Sequence, residues 1–292
     1  MLRGLYNAAA GMITQQRRHD TVTQNIVNLN TAGYKQTDSV QRSFPEVLVS
    51  MVGGGAASPN RTIGKLNTGV FAEESLSLHR QGALRETGKV TDFAIVSELG
   101  LTGRNGENVP FDASGKYIND NGDVIYRPEA FFTVLDHQGE VRYTRNGQFH
   151  VSDTGNVLTA AGYQVLDANN EPIVLTGTAG NLTVNEQGQI LSEAGNGAGV
   201  TLGITVVDNP HQLVREGEGL FRLDSADRGG ARFLAAEDRA IIRQGFIEAS
   251  NVDPSQSMVE LTAALRAYET NQKVVQFYDK TLEKTVNEIG RV

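Results

Sequence analysis

Residues 254–289 read PSQSMVELTAALRAYETNQKVVQFYDKTLEKTVNEI. Counting through them in steps of three and four picks out Met258, Leu261, Leu265, Tyr268, Gln272, Val275, Asp279, Leu282, Val286 and Ile289. Such spacing keeps a row of side chains on one face of an α-helix, so the tail reads as a heptad stripe interrupted by two polar residues. Asp253 and Ser255, on either side of Pro254, supply the start: a short oxygen-bearing side chain caps the free amides, and proline suits the first turn.

The other end of the chain answers with Leu2, Leu5, Ala9, Met12, then Gln16, His19 and Thr23, then Ile26. That pattern stops at NLNTAGYK (28–35), where Asn28, Asn30, Thr31 and Gly33 bring turn chemistry. The two ends differ in sign: residues 1–42 carry a net charge of +3 and residues 245–292 a net of -2. Complementary charge and matching apolar rows favour pairing of the helices, within a chain or between neighbours.

Between the helices the period falls to two. Short apolar runs such as Phe131–Leu135, Val141–Thr144, Phe149–Val151 and Leu202–Val207 alternate with turn residues at Gly139, Asn146-Gly147, Asp153–Gly155 and Gly162. Turns roughly every eight residues indicate a meander of short antiparallel strands. The expected fold is therefore mainly β with α termini: a discontinuous β domain over 70–244, flanked by paired helices of coiled-coil type from 1–42 and 245–292. Residues 43–69, which include Gly53-Gly54-Gly55-Ala56-Ala57-Ser58-Pro59-Asn60, read as a flexible linker.

Composition removes several classes of function. A formal net charge of -8 lacks the electrostatic footprint of a nucleic-acid binder. With no cysteine there is neither a disulfide framework nor a thiolate metal site. No apolar run is long enough for membrane insertion, and MLRGLYNAAAGMITQQRRHD lacks the order of a cleaved signal peptide. Export, if it occurs, is expected to leave the N-terminus in place.

Catalytic patterns are equally scarce. The five histidines (His19, His79, His137, His150, His211) form no i,i+3 or i,i+4 pair that would make a ligand face. Asn119–Asp123 faintly resembles a calcium loop, but Tyr117 and Pro128 occupy its first and last ligand positions; a hairpin turn explains it better. No nucleophile elbow, zinc-protease or dinucleotide motif is present. No enzyme activity, metal or cofactor is expected.

Four stretches carry a resemblance. They are LRGLYNAAAGM with QNIVNLNTAGYKQ, then RQGALRETGKVTDFAI, then FFTVLDHQGEVRYTRNGQFHVSDTGNVLTAAGYQVL, and finally QGFIEASNVDPSQSMVELTAALRAYETNQKVVQFYDKTLEKTVNEIG. In this order they resemble the axial rod and hook proteins of the bacterial flagellum, most of all the distal-rod proteins and their hook-basal-body homologues. The chain departs from that pattern at Gln24, at Val27, and at 97–130, which interrupts the usual passage from Asp92-Phe93-Ala94-Ile95 into Phe131-Phe132 and reads as an inserted hairpin.

The resemblance implies a structural rod subunit that joins basal body and hook and transmits torque. It implies export across the inner membrane through the flagellar type III apparatus, and a homo-oligomer that also contacts other rod and hook proteins. It assigns Leu5, Ala9, Met12, Ile26, Leu261, Leu265, Tyr268, Val275 and Leu282 to the helix seam. Asn25, Asn28, Asn30, Thr31, Gly33, Tyr34 and Lys35 would shape an N-terminal elbow, and Ser250, Asn251 and Val252 a C-terminal one. Rival readings are a glycan-binding adhesin or fibre protein, and an enzyme that opens the cell wall.

Overall fold

The computed structural model describes residues 2–50, 62–97, 99, 109–112, 115–119, 121–175, 182–191, 200–224, 230–235, 238 and 240–289. The Gly53–Asn60 stretch and much of the 97–130 insertion lie outside them. The chain divides into two compact units, a terminal one (Met1–Val27, Thr37–Leu76, Asp253–Val292) and a β unit (Asn28–Gln36, Ser77–Val252). The described residues are mainly short β-strands, with one long helix near each end.

In the terminal unit, helix α1 spans Leu2–Val27 and helix α2 spans Pro254–Lys284, extended by a π turn over Thr285–Ile289. The Asp253 carboxylate accepts the amides of Ser255 (2.8 Å) and Gln256 (3.1 Å), which satisfies donors that a helix start leaves without partners. Asp253→Ala should cost about 1 kcal/mol of helix stability, readable as a lower melting temperature by circular dichroism.

Gly4 of α1 lies against the ring of Tyr278 and Gly11 against the Asn271 amide, so the two helices run in opposite directions. Arg18 reaches Glu260 at 3.9 Å. The buried residues of α2 are Ser257 and Ala264, and the same step of seven leads on to the half-buried Asn271, Tyr278 and Thr285. On α1 the buried positions are Ala8, Gly11, Thr14, Val22 and Asn25. Small and polar side chains thus line the closest approach.

Gln41–Ser43 pairs antiparallel with Val70–Ala72 across the ends of the 43–69 stretch read from sequence as a linker, and within that stretch Val47–Ser50 pairs with Thr62–Leu66. Consecutive β-branched and aliphatic residues favour an extended backbone there. Val47, Leu48, Val49 and Ile63 of the second pair remain exposed.

The β unit is organised on a nine-stranded antiparallel sheet. Its central strand, Glu129–Leu135, pairs with Val141–Thr144 on one edge, and with Ile204–Val207 and then Gln164–Val165 on the other. Side chains alternate between faces along a strand. Phe132 and Val134 therefore join Phe93, Ile95, Phe149, Val165, Ile204 and Val206 in one core, while Phe131 joins Tyr143, Val207, Phe221 and Leu223 in a second. Both faces being covered explains why this strand reads as an unbroken apolar run.

Within the 97–130 insertion, Lys116–Ile118 and Val124–Tyr126 form a hairpin. Asn119 Oδ1 turns it by accepting the amides of Asn121 and Asp123.

Candidate functional site: two elbows closed by a buried charge node

The N-terminal elbow begins where α1 stops. In the terminal unit, Asn25 brackets Thr37, donating from Nδ2 to its carbonyl (2.8 Å) and accepting its amide on Oδ1 (3.0 Å). In the β unit, the Thr31 hydroxyl lies 3.1 Å from Asn28 Oδ1, and the Tyr34 amide donates to the Thr31 carbonyl. Asn30 is exposed.

Gly33 has φ +70, and a Cβ added there would sit 2.5 Å from the Arg145 carbonyl carbon. Left-handed backbone and close approach both require glycine at that position. Its amide donates to the Glu248 carbonyl at 2.8 Å, so this turn is where the two elbows first touch.

The C-terminal elbow completes the contact. Asn251 accepts the Gln36 amide on Oδ1 (2.6 Å) and donates from Nδ2 to the carbonyls of Leu78 (2.9 Å) and Arg80 (3.1 Å). Its own amide reaches the Tyr34 carbonyl. Ser250 Oγ accepts the Val252 amide, and Val252 is buried. Arg215 closes the other side: its guanidinium lies 4.5 Å over the Tyr34 ring and donates to the Lys35 carbonyl at 2.6 Å.

Beneath the elbows lies a fully buried set of charges. Lys35, 1% exposed, places Nζ 2.6 Å from Glu129 Oε1 and 3.0 Å from Glu248 Oε1, and donates to the Arg80 carbonyl at 2.9 Å. Arg145 holds Glu248 Oε2 through Nε (2.8 Å) and Nη2 (2.6 Å), and reaches the carbonyls of Ala130 and Ile95. The Gly82 amide donates to Glu248 Oε1 at 2.8 Å. His79 Nδ1 lies 2.6 Å from Glu129 Oε2; its ring also meets His211, which stacks against Tyr126 of the insertion hairpin.

Two carboxylates thus face two permanent cations. Burial alone would raise the Glu129 pKa, but Lys35, then His79 and Arg145, overcome it and hold the carboxyl well below the usual range. For Arg145, burial is opposed by Glu248 and then Glu129, and its pKa rises. The set ties together backbone far apart in the sequence, through the carbonyls of Arg80, Ala130 and Ile95 and the Gly82 amide. Among the described residues, no group of three or more His, Asp or Glu is placed to hold a metal ion.

The depressed Glu129 pKa links stability to pH. The folded carboxyl releases a proton that the unfolded chain keeps, so its contribution is complete above about pH 4.3 and is lost as pH falls through the lower folded value. Denaturant midpoints should therefore decline as pH falls below about 4.3. Glu129→Gln should flatten that decline by at most one proton's worth of slope.

Of the elbow residues named from sequence, Asn28, Thr31, Gly33, Tyr34 and Lys35 come together with Ser250, Asn251 and Val252 in the β unit. Glu129, Arg145, Arg215 and Glu248 carry no local signal in the sequence, and His79 reads only as one of five scattered histidines. A charged side chain in a sequence looks the same whether it will be solvated or buried against a partner more than a hundred residues away. Seam residues Leu5, Ala9, Met12 and Ile26 are half-buried, as are Leu261, Tyr268, Val275 and Leu282, while Leu265 is exposed.

All four stretches of the resemblance meet at the node: Lys35 from the first, Arg80–Gly82 from the second, Arg145 from the third, Glu248 and Asn251 from the fourth. Family comparison agrees. Residues 5–35 match the family described as flagella basal body rod protein, residues 128–208 the flagellar hook protein FlgE/F/G D1 domain, and residues 243–288 the C-terminal part of the flagellar basal body rod FlgEFG proteins. The flagellar hook-basal body complex protein FlhO of Bacillus subtilis (strain 168) is 34% identical, with 100% of both chains covered. The chain belongs to the flagellar basal-body rod protein family.

Its relatives include the flagellar basal-body rod protein FlgG of the same Bacillus, 28% identical over 98% of this chain and 99% of that one. FlgG of Agrobacterium fabrum (strain C58) is also 28% identical, over 96% of each. This rod-family chain is a structural subunit of the flagellar basal body. No described helix is long and apolar enough to cross a membrane.

Proposed function

We propose that this subunit stands near the distal end of the rod, joins basal body to hook, and polymerises helically through its terminal helices to carry torque. In this reading residues 1–42 and 245–292 form the assembly domain, flanking the β domain of 70–244 in the sequence. The observation that carries the reading is a second heptad row left exposed on each helix. On α2 the row is Met258 (59% exposed), Leu265 (46%), Gln272, Asp279 and Val286; on α1 it is Tyr6 (70%), Ile13, Asp20 and Val27 (75%). Large apolar side chains repeating every seven residues on a solvated face invite a helix from another copy.

The polar members, Asp20, Gln272 and Asp279, weaken casual association and favour one register in the assembled state. Contacts of this kind that do not close on themselves build a filament rather than a ring. The subunit would reach its place through the type III export apparatus with its N-terminus uncleaved. A strain lacking the chain is expected to show basal bodies arrested before the hook; normal hooks in that strain would remove the reading.

A further inference from the structure

The charges of the node come from widely separated points in the sequence: Lys35, His79, Glu129, Arg145 and Glu248. Their mutual dependence is uneven. Without Glu248, Lys35 and Arg145 would share a single carboxylate, Glu129, and a positive charge would remain buried without compensation. Arg145 Nε, one of the Nη2 hydrogens, one Lys35 ammonium hydrogen and the Gly82 amide would lose their acceptor at the same moment. Unpaired buried charge and orphaned donors are among the most costly states a folded chain can adopt. Glu248 removes all of these defects together.

The same short segment also completes the backbone. Phe246–Glu248 pairs with Leu84–Glu86, and Ala240–Gln244 just before it pairs with Phe93–Ser97. The Lys35–Glu248 contact spans 213 residues of sequence. Contacts of that range are slow to form, because the entropy of loop closure is lost before the contact rewards it.

We propose that Glu248 gates folding of the β unit: the unit crosses its folding barrier only once the C-terminal elbow has delivered this carboxylate to Lys35 and Arg145. A polypeptide is made from its N-terminus. Such a gate keeps the β region unfolded until residue 248 of 292 has been added, so that partial chains are not trapped in a folded β unit. The gate concerns folding of the β unit alone and holds whether or not the chain joins a rod.

The test uses the full chain, with refolding and unfolding rates followed by fluorescence of its eight tyrosines, as it has no tryptophan. Under the gate, Glu248→Gln slows refolding about tenfold or more, and more than half of the equilibrium loss appears in the refolding rate. If unfolding accelerates instead and refolding stays within about twofold of wild type, Glu248 is a late lock and the proposal is overturned. Should Glu248→Gln not fold, Glu248→Asp, which keeps the charge but withdraws it by one methylene, is partitioned in the same way and read by the same criterion.

Discussion

Lys35→Met should destabilise the β unit by about 3–5 kcal/mol, the cost usually seen when one partner of a buried ion pair is removed. Methionine nearly preserves the volume of the lysine stem, so lost packing contributes little. What remains is electrostatic: Arg145 would be the one permanent cation left for Glu129 and Glu248, with only His79 beside Glu129 to offset the second buried negative charge. The Arg80 carbonyl would also lose one of its two donors, keeping Asn251 Nδ2. Denaturant melts of the full chain measure the loss directly. The double variant Lys35→Met/Glu129→Gln, which removes one charge of each sign, should recover part of it, because the two positions share one network and their effects are not additive. A loss below about 1 kcal/mol would mean that the node is not the lock described here.

Leu265→Asp should leave the isolated chain almost unchanged and abolish its incorporation into rods. Leu265 is 46% exposed, and substitutions at open surface positions usually stay within about 0.5 kcal/mol. Assembly reverses that tolerance. In a seam between helices the new carboxylate would be desolvated without a partner, at a cost large enough to defeat association. Complementation of a deletion strain reads the effect as lost motility, with the melting curve of the purified variant as the control for folding. Normal rods carrying Leu265→Asp would remove the exposed row from the assembly surface.

The seam shows how far the sequence could be read. Both helices, their positions and the heptad period are visible in it, because hydrophobic spacing and the Asp253-Pro254 start are local signals. Which of two adjacent rows packs inside the chain is not visible. Apolarity points to Met258, Leu265 and Val286, whereas the row turned toward α1 is Ser257, Ala264, Asn271 and Tyr278. The reason is steric: Gly4 and Gly11 let α1 come close, and a Cβ added at Gly4 would lie 2.1 Å from the Tyr278 hydroxyl. Close approach selects small and fitted residues, which leaves the greasier row unused.

The elbows divide in the same way. The turn at Gly33 and the polar cluster around it could be located from residue chemistry, since Asn, Thr and Gly have local reasons to sit in turns. The node could not. Lys35 looks like a solvated residue at the end of a turn until Glu129 and Glu248 are brought to it by the sheet. His79 and His211, scattered in sequence, meet ring to ring at 5.5 Å for the same reason. The linker reading of 43–69 gave composition more weight than the extended runs at Val47–Ser50 and Thr62–Leu66, which pair with each other.

Mass spectrometry of intact hook–basal bodies purified from the source bacterium asks whether this chain is an axial component. A rod subunit predicts the chain at a stoichiometry well above trace, alongside the other rod proteins. Its absence from bodies that contain those proteins would contradict a place in the rod and leave the family relationship as ancestry alone.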